Sequence, residues 1–214
     1  MADTPTYYID KAYVLKRIKQ AELDKLCKED DVSGICDDAS TSTTLKDAAA
    51  AWDTDQFKGY TVTITSGKDA GQSRVIASNT ANVLTVPAWT TAAPDHTSKY
   101  SIVGKVNYDF LTEAFATADS FINGYLKRII SELPLETPPE SIKQCSYNIT
   151  IYNLHDRIQY MDIPKWVQTK YDATIKFLKD VSAGNADISD IDDSILTSQI
   201  YFQSEDPLMD RSIF

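Results

Sequence analysis

The sequence predicts a mainly α-helical bundle that carries an inserted small antiparallel β-barrel or meander, so that the fold is α+β overall. Three observations lead to this prediction. Apolar residues repeat every three or four positions near both ends of the 214-residue chain, which is the period of an α-helix. Between these stretches, apolar and polar residues alternate with the period of a β-strand. Gly, Ser and Thr are concentrated where the first pattern gives way to the second.

The first 32 residues are predicted to form two short helices. Asp10 can cap a helix whose apolar residues Tyr13, Val14 and Ile18 share one face. In residues 21–27, apolar side chains at positions i, i+3 and i+4 predict a second helix. Because helices this short are marginal alone, we expect them to pack against helices from later in the chain.

The middle of the chain is predicted to form four short strands. Thr and apolar residues alternate over residues 59–66, and further β-rich runs follow at 72–78, 83–86 and 99–103, separated by turn-forming residues. Gly67 and Lys68 superficially resemble a phosphate-binding loop, but Asp69 stands where Ser or Thr is needed, so a hairpin turn is predicted. The predicted core contains Trp52, Phe57, Val62, Ile64, Ile76, Leu84, Val86, Trp89, Tyr100 and Ile102.

Three longer helices are predicted in the last half of the chain. The strongest helical repeat comprises Leu111, Ala114, Phe115, Ala118, Phe121, Ile122, Tyr125, Leu126 and Ile129. Pro134 ends this helix, Pro138 and Pro139 open the next, and Pro164 opens the last one. Gly184 supplies the stop after it.

These elements predict three regions. Residues 1–32 and 106–184 are expected to form one discontinuous helical domain, and residues 33–105 an inserted β-module. A module whose ends lie close together can be inserted into a loop without disturbing the host core. Residues 185–214 are expected to be an acidic, flexible tail, since isolated apolar residues among carboxylates bury too little surface to fold unaided.

The charge distribution argues against nucleic-acid binding. Of the formal net charge of −10, residues 180–214 carry −7, which leaves the rest of the chain nearly neutral. Proteins that bind phosphate backbones tightly instead present a basic surface. The N-terminus lacks the pattern of a secretion signal, and we find no apolar stretch that approaches the length of a membrane span. The scattered Cys27, Cys36 and Cys145 suit buried thiols in a reducing cytoplasm.

The chain offers little material for catalysis or metal binding. Its two histidines are His96 and His155, and no pair of cysteines has C-x-x-C spacing. His155, near the end of a predicted helix, is expected to be a surface or capping residue rather than a base. The acidic cluster from Asp187 to Asp193 lacks the interior Gly and closing Glu of an EF-hand. We therefore predict no enzyme activity, no metal and no cofactor.

Large apolar side chains within the polar C-terminal tail indicate a second kind of function. A tail of this composition either packs back on its own domain or becomes ordered against a neighbouring subunit, with its aromatic residues as anchors. The sequence leaves both alternatives open. The candidate partner-binding residues are Ile200, Tyr201, Phe202, Leu208, Met209 and Phe214 in the tail, and Trp89 in the β-module.

A family resemblance joins the helical stretches. The residues that carry it are 8–10, Leu23, 26–31, Ala114, 118–126, 133–135 with Pro138, 152–155, 171–175 and 178–184. In this order they resemble the Mu-like phage proteins regarded as head-tail connector or head-completion proteins. An Arg-Tyr pair that this family usually carries is replaced by residues 129–132. Residues 52–100 resemble a short β-module found in various phage virion proteins.

The resemblance implies a structural role in a phage or prophage particle. It implies a ring, a dodecamer in this family, at the virion neck between the portal protein and the tail or a second adaptor protein. It also implies synthesis in the cytoplasm of the bacterial host and a protein that is monomeric until it meets the portal. Two rival functions remain from the residues alone. One is a binding module in which Trp89 helps the β-module recognise a carbohydrate or another virion protein. The other is an enzyme, for which the chain lacks a convincing nucleophile, base or set of metal ligands.

Overall fold

The structure, a computed structural model, describes residues 7–158, 161–188 and 196. They divide into two compact units. The helical unit lies within Met1–Cys27 and Tyr108–Phe214, and the β-unit is the continuous segment Lys28–Asn107. The boundaries between the units thus fall after Cys27 and after Asn107.

The helical unit contains five described helices. They are α1 (Lys11–Leu15), α2 (Gln20–Leu26), α3 (Asp109–Leu126), α4 (Glu140–Asp156) and α5 (Lys165–Ser182). Asp10 caps α1, because its carboxylate accepts a hydrogen bond of 2.7 Å from the backbone N–H of Tyr13. The three long helices pack against one another.

Two apolar clusters form the core of the helical unit. In the first, Val14 of α1 and Leu23 of α2 pack with Phe115 of α3 and Leu154 of α4. Apolar side chains of the two short helices are therefore covered by helices far along the chain. The second cluster, around Ile122, joins the C-terminal half of α3 to α4, to α5 and to the segment after α3.

The β-unit contains seven described strands in two antiparallel sheets. The strands are β1 (Val32–Ile35), β2 (Thr44–Lys46), β3 (Thr61–Ser66), β4 (Ser73–Val75), β5 (Ser78–Asn79), β6 (Val83–Thr85) and β7 (Lys99–Ile102). One sheet has the order β1-β7-β3-β4 and the other the order β2-β6-β5. All ten residues predicted for the core of this region lie in one apolar cluster, so that prediction is confirmed.

The predicted hairpin at Gly67 is also confirmed. β3 and β4 pair antiparallel on either side of it. Gly67 has a φ of +81°, and a Cβ atom there would collide with the backbone of Thr97. Gly is therefore required at this turn for both conformation and space.

The predicted fold class is wrong in two respects. The chain is a mixed α+β protein rather than mainly a helical bundle, and among the described residues the two sheets are open and form no closed barrel. The prediction missed β1 and β2, which lie in and around the Gly-, Ser- and Thr-rich stretch. Strands of three or four residues show too little alternation to be recognised, and pairing with β7 and β6 defines them.

Candidate interaction surfaces

The predicted partner-binding residues of the tail lie outside the described residues. These are Ile200, Tyr201, Phe202, Leu208, Met209 and Phe214. The last described residue before them, Leu196, forms an antiparallel bridge with Ile130. Leu196 also packs against the second helical cluster, as do Ala186 and Ile188. Part of the acidic segment after α5 therefore contacts the helical unit.

Trp89 lies in the core of the β-unit. Only 5% of its surface is exposed, and its indole N–H points to the carbonyl oxygen of Thr44 at 3.5 Å. The Arg74 guanidinium lies 5.4 Å from the centre of the indole. In this position Trp89 stabilises the β-unit, and a contact with a partner, which stays a prediction, would require the indole to leave the core.

An exposed groove runs along α3 in the helical unit. Its volume is about 670 Å³, and we call it the α3 groove. Phe121 is 39% exposed there, and its ring makes an edge contact with Tyr125 at a centroid distance of 5.3 Å. The groove is lined by Ala116, Thr117, Ser120, Phe121, Gly124 and Tyr125.

The spacing of apolar residues places Phe121 and Tyr125 in the apolar stripe of this helix and does not distinguish them as part of a surface. Around the helix axis, where successive residues are about 100° apart, the apolar stripe covers an arc of about 140°. This arc is wider than the face that contact with one neighbouring element buries. Phe121 lies at one edge of that arc, beside small residues, and the half-buried Tyr125 lies about 40° nearer its centre. The width of the arc is the signal that could have revealed the exposed Phe121.

Further aromatic side chains lie at the surface of α4 and α5. The rings of Tyr152 and Tyr171 stack at 3.9 Å with an interplanar angle of 18°, and both are half-buried. Burial raises the pKa of Tyr171, and the nearby Tyr152 and Tyr125 raise it further. The exposed Trp166 of α5 carries the Lys170 ammonium over its ring. The helical unit therefore presents several aromatic groups to solvent.

A polar cleft of about 500 Å³ lies between the segment before α1 and the start of α4. In it, Glu140 accepts hydrogen bonds from the Tyr13 hydroxyl at 2.7 Å and from Arg17 at 2.9 Å. These contacts, the tyrosine bond foremost, lower the pKa of Glu140. Lys16 and Lys143 line the cleft too, so that three basic side chains, with Arg17, stand against the carboxylates of Asp10 and Glu140.

A buried carboxylate joins the N-terminal segment to α3 and α4. Asp119 is 7% exposed and accepts hydrogen bonds of 2.7 Å from the backbone N–H of Tyr8 and from the Ser146 hydroxyl. Burial raises the pKa of Asp119, although both hydrogen bonds act in the opposite direction. This carboxylate positions the chain ahead of α1.

The structure corrects the expectation for His155. The side chain is 7% exposed within α4 rather than at the surface, and neither ring nitrogen has a hydrogen-bond partner among the described residues. Burial lowers its pKa. His96 is exposed in the β-unit, and its Nδ1 lies 2.6 Å from the Asp38 carboxylate, which raises the pKa of His96.

The three cysteines are buried, unpaired thiols. Burial raises the pKa of Cys27 to about 11 and the pKa values of Cys36 and Cys145 to about 12. At neutral pH they are protonated and weakly nucleophilic. Within the described residues no group of three potential metal ligands occurs, and none of the helices there is long and apolar enough to cross a bilayer.

Comparison with known proteins adds one match. The model of a family described as "Bacteriophage Mu, Gp36" matches residues 78–198, which is more than half of the chain. The match includes β5, β6 and β7 of the β-unit and all of α3, α4 and α5, while α1 and α2 lie outside it. No curated protein matches the chain.

Proposed function

The chain belongs to the bacteriophage Mu Gp36 family, and we propose that this phage protein is a structural component of the virion that connects head and tail. The observation that carries the proposal is the family match over α3, α4 and α5. In the same helices, residues 118–126, 152–155 and 171–175 resemble head-tail connector and head-completion proteins. The function we propose is assembly.

The exposed aromatic groups of the helical unit support an assembly role. Trp166 of α5 is large, and 43% of its surface is exposed. Aromatic side chains are enriched in protein interfaces because they bury much area at a small cost in conformational entropy. We propose that helical faces of this unit bind neighbouring copies in a ring, which the resemblance implies to be a dodecamer.

The partners that we propose are the portal protein on one side of the ring and the tail or a second adaptor on the other. The C-terminal tail supplies a docking arm with the apolar residues Leu208, Met209 and Phe214. A disordered arm that orders on binding can bury a large surface for a modest affinity, which suits stepwise assembly. The protein is then a monomer until it reaches the portal.

We propose that DNA passes through the ring without binding tightly. The formal net charge is −10, of which residues 180–214 carry −7. A near-neutral to acidic lumen repels a phosphate backbone or leaves it free to slide.

Deletion of residues 198–214 tests the docking arm. We expect the truncated protein to remain folded by circular dichroism but to be missing from purified particles, as measured by mass spectrometry. A second variant that lacks only residues 203–214 should also be missing, since it loses Leu208, Met209 and Phe214. Incorporation of both variants at the wild-type level would contradict a docking arm.

Electron microscopy of purified virions tests the connector itself. We expect density for this chain at the neck, between portal and tail, in a ring of identical copies. Density in the capsid shell or at the distal end of the tail would contradict the connector role. The coarser conclusion, that the chain is a virion protein, would then remain. Because this experiment uses the wild-type chain, its outcome is independent of the deletion experiment.

A further inference from the structure

The position of Leu196 relates the C-terminal tail to the α3 groove. Leu196 pairs with Ile130, and Ile130 lies four residues after the end of α3 at Leu126. Leu196 also packs against the apolar cluster that contains Ile122 and Leu126 of α3, and Tyr125 of the groove packs against the same cluster. The tail is therefore tethered, at Leu196, beside the end of the helix that carries the groove.

The length of chain between Leu196 and the next apolar residues is compatible with a contact in the α3 groove. The groove extends over residues 116–125, or about 14 Å of helix at 1.5 Å per residue, and its Tyr125 end lies next to Leu126. The first apolar residues after Leu196 are Ile200, Tyr201 and Phe202. At about 3.3 Å per residue they can lie up to about 13–20 Å from Leu196, a reach comparable with the length of the groove.

The chemistry of the groove suits these three side chains. Phe121 and Tyr125 offer aromatic rings, and edge or offset contacts between aromatic rings are favourable. A Cβ atom built on Gly124 meets nothing within 4 Å, so there is room above the helix backbone for a large side chain. Covering Phe121 would remove an exposed aromatic surface from water.

We propose that Ile200, Tyr201 and Phe202 bind in the α3 groove of their own copy. The tether at Leu196 makes this contact intramolecular, with an effective concentration in the millimolar range that a second copy does not reach in dilute solution. The tail is thereby divided into two parts. The first three apolar residues complete the helical unit, and Leu208, Met209 and Phe214 stay available for a partner.

Photo-crosslinking in the isolated full-length protein tests this assignment. Ser120, an exposed residue of the groove, is replaced by the photoreactive benzoylphenylalanine, and crosslinked peptides are identified by mass spectrometry. We expect crosslinks to residues 199–203. Mixing equal amounts of ¹⁴N- and ¹⁵N-labelled protein before irradiation should give crosslinks within one label only, because the contact is intramolecular.

Matched variants distinguish the two parts of the tail. The double variant Tyr201→Ser with Phe202→Ser should lower the crosslink yield at least about tenfold, because two aromatic contacts are lost. Leu208→Ser with Met209→Ser should leave the yield within about twofold. The same photoreactive residue at Ala173, an exposed position of α5, serves as the control for non-specific capture of the tail.

Three outcomes would overturn the proposal. They are crosslinks between the two isotopic labels, crosslinks mainly to residues 208–214, and a yield at Ser120 no higher than at Ala173. All readouts use the isolated protein. A failure of the connector proposal in particles would therefore leave this assignment standing, and the reverse also holds.

Discussion

The two units differ in whether their buried polar side chains have hydrogen-bond partners. In the β-unit, Asn79 accepts a hydrogen bond from the Phe57 N–H at 2.8 Å and donates to the carbonyl oxygens of Asp53 and Thr80. The buried Tyr100 hydroxyl donates to Asp47 at 2.6 Å. These bonds connect strands and loops of the same unit. The β-unit therefore satisfies these buried polar side chains internally.

The helical unit leaves more such groups unsatisfied. On α4, the hydroxyl of Thr150, the side-chain amide nitrogen of Asn153 and both ring nitrogens of His155 are buried without a hydrogen-bond partner among the described residues. In the β-unit the comparable atom is one carboxylate oxygen of Asp69, in the β3–β4 turn. Each such group costs stability. Among the described residues, the helical unit therefore holds more buried side-chain atoms without a hydrogen-bond partner than the β-unit does.

The largest effect is expected from a core truncation that distinguishes the stability of one unit from the stability of the other. Leu84→Ala removes a fully buried side chain of the β-unit and should lower the free energy of unfolding of that unit by about 2–5 kcal/mol. In a Trp166→Phe background, fluorescence reports on Trp52 and Trp89, which both lie in the β-unit. Circular dichroism at 222 nm follows the helices.

The matched control is Leu126→Ala, which truncates an equally buried residue of the helical unit. It should shift the circular dichroism transition, whereas Leu84→Ala should shift the fluorescence transition. If each variant shifts both transitions equally, the two units unfold in one cooperative transition. They would then have no separate free energies of unfolding to compare.

An intermediate effect is expected at Asp119. Replacing it by Ala leaves the Tyr8 N–H and the Ser146 hydroxyl without their acceptor and should destabilise the helical unit by about 1–3 kcal/mol in urea denaturation. Asp119→Asn keeps an acceptor oxygen and should cost less. Equal losses for the two variants would show that the hydrogen bonds do not determine the effect.

The raised pKa of Asp119 also predicts a pH dependence. Because the folded state holds the proton more tightly than the unfolded state, the stabilisation is present below the ordinary Asp pKa of about 3.9. It is lost as the pH rises through the raised value. Asp119→Asn should remove this part of the pH profile of the helical unit, and a wild-type profile in the variant would contradict the assignment.

The smallest effect is expected at His155. Burial lowers its pKa, so its contribution to stability is present above the unfolded value of about 6.5 and is lost as the pH falls through the folded pKa. His155→Leu removes two unsatisfied nitrogens and should raise the stability at pH 5 by about 1 kcal/mol relative to wild type. A variant that is less stable at pH 5 would indicate a partner for this ring.

Local patterns in the sequence predicted much of the fold. The repeat from Leu111 to Leu126 predicted α3, the alternation in residues 61–66 predicted β3, and Asp10 was recognised as a cap. The candidate site was predicted less well. Phe121 was assigned to a buried stripe, and His155 to the surface. Periodicity shows which face of a helix is apolar but not how wide a face its neighbours cover.

The sequence by itself determined the elements whose signal lies between near neighbours: the three long helices, the hairpin at Gly67 and the apolar residues that form the core of the β-unit. Only the tertiary structure decided the features that depend on residues far apart. The short strands β1 and β2 exist through pairing with β7 and β6, and Leu196 lies beside Ile130 through a bridge across 66 positions. Such contacts leave no local period, because either partner alone is compatible with many structures.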